Sequence, residues 1–208
     1  MPSLGRLHLI TDTRPGRDPL AVLRAALPVA RAELVVQVRV DDDATDRQAY
    51  ELARRVLALC APYGVPCLVN DRLHVALAVG AAGGHVGADD LPVGAARRVL
   101  GAAAVLGATA REPVAATKAV AAGASYLGVG PCHATTTKAG LPAPIGPDGV
   151  RAVAEAVAVP VIAIGGVTAA SVPALRAAGA YGVAVVGALS GAADPARATA
   201  ELLGALTC

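Results

Sequence analysis

The chain of 208 residues has no tryptophan and no phenylalanine, and its only aromatic residues are four tyrosines. Single-stranded nucleic acid is held largely by stacking on aromatic rings, so that mode of recognition is excluded. An excess of one charge is missing too. Eighteen basic residues against 16 acidic ones leave a formal net charge of +2, too weak a field for general nucleic-acid binding. Lysine is almost absent, with only Lys118 and Lys138 beside sixteen arginines. No long apolar run occurs, although mean hydropathy is +0.56. Arg, Glu, Pro or Gly interrupts every stretch well short of the ~18–20 residues that span a bilayer, so no membrane partner is expected. The opening Met1-Pro2-Ser3-Leu4-Gly5-Arg6 carries no apolar signal-peptide core. Cys60, Cys67, Cys132 and Cys208 form no CxxC pair and no zinc-type spacing with the four histidines. Reduced thiols and a cytoplasmic location are the expectation.

What the chain does have is alanine, at 50 positions, within a hydrophobic fraction of 55% and a charged fraction of 16%. That composition excludes disorder. Its small side chains suit closely packed helices and short parallel strands better than an aromatic-rich sandwich. The length is that of one domain, residues 1–208, with no linker or composition shift dividing it.

Eight short β-type runs are expected, at 7–11, 34–39, 65–70, 85–87, 105–107, 126–129, 161–164 and 183–186. Between them lie amphipathic stretches. Residues 47–60 are the clearest, with Leu52, Val56 and Leu59 at helical spacing, and 148–157, 169–178 and 195–206 read alike. Thr168 and Asp194 stand where N-caps belong, and Gly179 stands where a helix stops. Eight strands in 208 residues make 26 per βα unit, near the smallest period that closes a (β/α)8 TIM barrel; a doubly wound sheet is the rival.

A parallel barrel builds its site at the C-terminal ends of its strands, and polar residues collect there. Thr11-Asp12, Gln37 and Arg39, Asn70-Asp71, Asp89-Asp90, Thr109, Thr135-Thr136-Thr137-Lys138, Gly165-Gly166 and Gly187 each follow or end a strand. Two aspartates ending neighbouring strands, Asp71 and Asp90, are hard oxygen ligands suited to Mg²⁺ bridged to a phosphate, although aspartates at such junctions also serve as N-caps. Glycines after strands seven and eight admit a phosphate to backbone N–H groups, or simply make tight turns. A lysine kept in an arginine-biased chain, Lys138, offers a compact ammonium to a diphosphate, or is a solvated loop residue. The long Thr-, Pro- and Gly-rich connection at 131–147 has the length of a functional loop.

In chain order, the stretches Leu9-Ile10-Thr11-Asp12, Gln37-Val38-Arg39, Asn70-Asp71-Arg72, His85-Val86-Gly87-Ala88-Asp89-Asp90-Leu91-Pro92, Gly128-Val129-Gly130-Pro131, Thr135-Thr136-Thr137-Lys138, Ala163-Ile164-Gly165-Gly166 and Gly182-Val183-Ala184-Val185-Val186 run over nearly the whole chain. This ordered set resembles the thiamine-phosphate synthase family. The resemblance implies a (β/α)8 transferase that couples hydroxymethylpyrimidine diphosphate with a thiazole phosphate, or its carboxylated form. It implies Mg²⁺ on Asp71 and Asp90. Gln37, Arg39, Asn70, Thr109 and Lys138 would hold the pyrimidine diphosphate, with Thr109 in the place of a family serine. Thr135, Thr136, Thr137, Gly166, Val186 and Gly187 would receive the thiazole phosphate. Arg39 and Lys138 would neutralise the departing diphosphate and so act catalytically. The partners implied are small phosphorylated molecules, and a homo-oligomer is compatible with the reading.

Four positions depart from the family pattern. Asp41 stands where a lysine is usual, followed by Asp42 and Asp43, and the three together read as a solvated loop bending away from the site. Ala88 replaces a glutamine, Gly187 a serine and His133 an aromatic. The related thiazole tautomerases are one alternative, but they lack the paired aspartates, and their typical histidine falls at Pro131 here. A non-catalytic paralogue that binds thiazole or thiamine phosphate is a second alternative, suggested by Asp41. A phosphosugar isomerase, which would want a Glu or His base such as His85 at a strand end, is a third.

Overall fold

The computed structural model describes residues 4–137 and 140–207. Eight parallel strands close into a barrel in chain order: β1 (Leu7–Ile10), β2 (Leu34–Val38), β3 (Cys67–Asn70), β4 (Gly83–Val86), β5 (Val105–Thr109), β6 (Tyr126–Val129), β7 (Val161–Ile164) and β8 (Gly182–Val185). β1 closes the ring on β8 through the register Leu7↔Val183. The helices around it are α1 (Pro19–Ala30), α2 (Asp46–Cys60), α3 (Leu73–Val79), α4 (Val93–Leu100), α5 (Pro113–Ala121), α6 (Gly146–Ala156), α7 (Val172–Ala177), the short α8 (Gly187–Ser190) and α9 (Pro195–Thr207). None of the described helices is long and apolar enough to cross a membrane.

Local chemistry sets the helix ends. Asp18 caps α1 by accepting from the Leu20 and Ala21 amides, and Pro19 occupies the first turn, where its missing N–H costs nothing. Thr45 and Gln48 form a reciprocal capping box on α2. Asp194 accepts from the Arg197 amide at the start of α9, as its position suggested. The expected helix at 169–178 is instead a 3₁₀ turn, Ala169–Ser171, followed by α7. Thr168 and Ser171 cap that turn reciprocally, and Pro173 follows at once.

Outward-facing strand residues such as Leu7, Leu9, Val36, Val69 and Val129 pack with the inner faces of the helices into one large core. A smaller core fills the barrel, built by Ile10, Val35, Leu68, Val105, Tyr126 and Ile162. The strand expected to start at His85 begins earlier, at Gly83. Gly83 could not be replaced there, and Gly84 only if Leu73 shifted. A Cβ on Gly83 would overlap the Val105 backbone, and one on Gly84 would lie 2.5 Å from a Leu73 methyl. β2 stops at Val38 rather than Arg39, and β3 begins at Cys67 rather than 65.

Candidate active site

Beneath the C-terminal mouth of the barrel, four side chains from four strands join in one line of hydrogen bonds. Gln37, 4% exposed, reaches the buried Tyr126 hydroxyl. That hydroxyl lies 3.0 Å from His85 Nδ1, and His85 Nε2 lies 3.1 Å from Thr109 Oγ1. Every member is satisfied when Gln37 donates to the tyrosine, Tyr126 donates to Nδ1, and a neutral His85 donates from Nε2 to Thr109. Burial lowers the His85 pKa to about 4, so the neutral ring persists at ordinary pH. Burial likewise pushes the Tyr126 hydroxyl upward, against a smaller lowering by the Gln37 hydrogen bond. Glycines make the room: a Cβ on Gly107 would overlap both Tyr126 and His85, and one on Gly128 would crowd His85 at 3.1 Å.

On the rim above, β3 and β4 run side by side, with Asn70 paired to His85. Asp71 leaves β3 in a left-handed conformation, φ 59°, and its amide donates to the His85 carbonyl at 2.8 Å. Asp90 Oδ2 accepts from the Gly87 amide at 2.6 Å, and the Asp90 charge raises the His85 pKa slightly against burial. Both aspartates are therefore anchored within two residues of His85 and are solvent-exposed. Their donor set is hard oxygen alone, which fits a divalent cation such as Mg²⁺. No cluster of three or more metal-ligating side chains occurs among the described residues, so such a cation would complete its shell with oxygens of an anionic ligand and water.

Across the mouth, the loop after β6 lies against the ends of β7 and β8. The Cys132 and His133 amides donate to the carbonyls of Ile164 and Gly165. Gly165 and Gly166 have φ of 94° and 62°; a Cβ on Gly166 would lie 2.5 Å from the Ala134 carbonyl oxygen and 2.8 Å from His133 Cβ. Arg111 braces this loop, donating to Gly130 and Ala143 carbonyls at 3.1 and 2.7 Å. Thr135 and Thr137 hydroxyls are 3.0 Å apart, and Thr137 Cγ2 sits 3.2 Å from where a Gly187 Cβ would be. The loop after β6 thus meets the β8 end beside Gly187.

Beside that cradle the Thr11-Asp12 pair supplies a buried carboxylate. Asp12, 2% exposed in its side chain, takes a two-pronged hydrogen bond from Arg14, 2.8 Å to Nε and 2.7 Å to Nη2. Ser190 Oγ donates to it at 2.5 Å, and Arg17 Nε lies 3.9 Å away. The Arg14 hydrogen bond, with Ser190 adding to it, holds the Asp12 carboxyl far below the usual carboxylate range despite the cost of burial.

A protein-family description, thiamine monophosphate synthase, matches residues 7–189. The thiamine-phosphate synthases of Salinispora arenicola and Salinispora tropica are 80% and 78% identical to the chain, each aligned over all of both proteins. A solved structure of thiamine phosphate pyrophosphorylase from Pyrococcus furiosus superposes with a TM-score of 0.86 at 32% identity, over 97% of this chain and 95% of that one. The chain belongs to the thiamine monophosphate synthase family. The readings of a (β/α)8 barrel and of a transferase of the thiamine-phosphate synthase kind hold.

With the family established, most candidate residues other than Asp71 and Asp90 fall into two groups. Gln37 and Thr109 are joined through Tyr126 and His85, and Asn70 ends the strand beside His85. Thr135, Thr136, Thr137, Gly166, Val186 and Gly187 gather where the β6, β7 and β8 loops meet. Arg39 follows β2, its amide donating to Thr11 Oγ1 and its guanidinium 3.6 Å from Asp42. Lys138 lies outside the described residues. The acidic loop differs from the expectation of a fully solvated turn. Asp42 and Asp43 are exposed, but Asp41 is half-buried, with its amide donating to Thr13 Oγ1 and its charge raising the Arg14 pKa. The β1 loop draws it in. Tyr126, Arg14, Arg17 and Ser190 were not singled out from sequence; only Thr11-Asp12 pointed to the β1 end.

Proposed function

We propose that this protein makes thiamine phosphate by joining hydroxymethylpyrimidine diphosphate to a thiazole phosphate, in the cytoplasm and with Mg²⁺ as cofactor. The observation that carries the reading is the division of the barrel mouth into two unlike halves. One has paired carboxylates beside a neutral polar pocket, and the other has a glycine- and threonine-lined cradle. Two differently phosphorylated substrates need such a division.

In this reading Gln37, Asn70 and Thr109 hold the pyrimidine ring and Arg39 and Lys138 hold its diphosphate. Asp71 and Asp90 would hold Mg²⁺, whose contribution when bound is to offset charge on the diphosphate oxygens. The C–O bond between the pyrimidine methylene and the diphosphate breaks, and its electron pair leaves with the diphosphate. The thiazole nitrogen then donates its lone pair to the methylene carbon, forming the new C–N bond. No proton transfer to the protein is required. The neutral His85–Tyr126 pair adds no cation beneath a carbon that becomes electron-poor. Thr135, Thr136, Thr137, Gly166, Val186 and Gly187 receive the thiazole phosphate, and alignment of the two substrates supplies much of the rate. The whole chain, 1–208, acts as one domain.

Purified protein should convert the two phosphorylated halves to thiamine phosphate with Mg²⁺, lose that activity in EDTA, and regain it when Mg²⁺ is restored. Absence of product with Mg²⁺ would overturn the proposal; product formed equally well in EDTA would overturn the metal assignment.

A further inference from the structure

The monophosphate cradle is built on backbone amides and hydroxyls, yet a phosphate monoester brings nearly two negative charges at neutral pH. The structure ties one arginine to each of the two loops that form the cradle. Arg14 Nη1 donates to the Thr136 carbonyl at 3.4 Å, and Arg17 Nη1 donates to the Ser190 carbonyl at 2.9 Å. Both arginines converge on Asp12, which lies at the end of β1 and is also the acceptor of the Ser190 hydroxyl. A carboxylate only 2% exposed is costly unless it is paired, and this one accepts from Arg14 and Ser190 with Arg17 3.9 Å away. Two guanidinium charges share this one buried carboxylate, while the half-buried Asp41 acts on Arg14 only from beyond ion-pair distance. The two arginine side chains remain 34% and 41% exposed.

The detail of the Arg14 contacts matters. Its Nε and Nη2 are committed to Asp12 in fork geometry, which fixes the plane of the guanidinium. Nη1 is left with one long bond to Thr136, weak enough for a phosphate oxygen to share. Asp12 therefore orients the arginine instead of neutralising it out of use. Its bond from Ser190 also fixes the far end of α8, whose first residue, Gly187, meets Thr137.

We infer that Arg14 and Arg17, held in place by the buried carboxylate of Asp12, form the cationic wall of the thiazole phosphate pocket. Asp12 is the positioning residue and Arg14 also sets the Thr135–Thr137 turn. The inference rests on the placement of the thiazole phosphate proposed above. It gives the mouth a source of positive charge on the β1 side, where Asp41 has replaced the lysine usual in the family.

The test separates the two substrates. Arg14→Gln and Arg17→Gln should each raise the KM for the thiazole phosphate about ten- to hundredfold, the worth of a charge-assisted hydrogen bond. The KM for the pyrimidine diphosphate should change less than about twofold, and kcat at saturation far less than the thiazole KM. Arg14→Lys should restore the charge but not the fork, and recover only part of the loss. Asp12→Asn should show the same substrate bias. Calorimetric titration with inorganic phosphate supplies a readout independent of turnover, and its affinity should fall in parallel. An unchanged thiazole KM, or equal losses for both substrates that follow a fall in melting temperature, would overturn the inference. If the wild-type protein did not couple the two halves, yet Arg14→Gln still weakened phosphate binding, the cationic wall would stand and the proposed reaction would fall.

Discussion

Tyr126 is the one aromatic residue inside the barrel, and its hydroxyl is the link between Gln37 and His85. Tyr126→Phe keeps the ring and its edge-on packing against His8, 5.1 Å between centroids, but removes that link. His85 Nδ1 is then left buried without its donor, a cost of about 1–3 kcal/mol. Gln37 and Thr109 also lose their common brace. The expected outcome is a lower melting temperature with a severalfold higher KM for the pyrimidine diphosphate and an unchanged KM for the thiazole phosphate. Steady-state kinetics with each substrate varied in turn would check it, and a rise confined to the thiazole substrate would contradict the assignment. The opposite bias is expected at Arg14, so the two variants together map the division of the mouth.

At the scale of elements, the arginine bias of the chain has a structural reason at the N-terminal end of the barrel. Arg97, in the last turn of α4, donates to the carbonyls of Gly101, Ala104 and Gly123 and to Ser125 Oγ, at 2.7 to 3.1 Å. It thus closes α4 and joins the segments entering β5 and β6. Arg176 does similar work after α7, donating to the Ala180 and Tyr181 carbonyls. Lysine has three donors on one nitrogen and cannot span such a set. Arg97→Lys should cost about 1.5–3 kcal/mol of stability, measured as a shift in the denaturant midpoint. It should leave kcat and both KM values alone, because it lies at the end of the barrel remote from the mouth. A loss of activity without a loss of stability would show that the two ends are coupled.

For the whole molecule, two buried histidines set the response to acid. Burial lowers His85 to about 4 and His8 to about 3, the latter pushed further down by His85 and pulled up by a hydrogen bond to the Gly5 backbone. Both are neutral in the fold while the unfolded chain protonates near pH 6.5. Below that value the unfolded state binds protons that the native state refuses, so stability falls as pH falls. The slope is about 1.4 kcal/mol per pH unit per histidine, down to pH about 4 for His85 and lower for His8. Asp12 acts in the same sense further down, since its carboxyl is held below the usual range and its pairing is lost only on protonation. Chemical unfolding at several pH values from about 7.5 to about 4.5 should give a slope near two protons. His8→Gln should reduce it by about one. An unchanged slope would show that His8 is not held neutral.

Much of this was already present in the order of residues. Strands buried on both faces must be apolar throughout, so Val161–Ile164 and Tyr126–Val129 announce themselves, and polar residues crowd at the end where a parallel barrel builds its site. The motifs from Thr11-Asp12 to Gly182-Val186, in their order, already resembled the family to which the chain belongs. Closure of the ring decided the rest. The strand expected from His85 onward is extended by the closed ring back to Gly83, where a Cβ would overlap the Val105 backbone. Asp12 and Ser190 are 178 residues apart and meet only because β1 pairs with β8. Gln37, His85, Thr109 and Tyr126 sit on strands separated by whole βα units, and a line of hydrogen bonds across a barrel has no period along the chain. Asp41 looked like a solvated acid, yet its neighbour in space is the β1 loop with Thr13 and Arg14. Local propensity and burial pattern act over a few residues at a time. The hydrogen bonds that shape this mouth link side chains that only the folded ring brings within about 3 Å of one another.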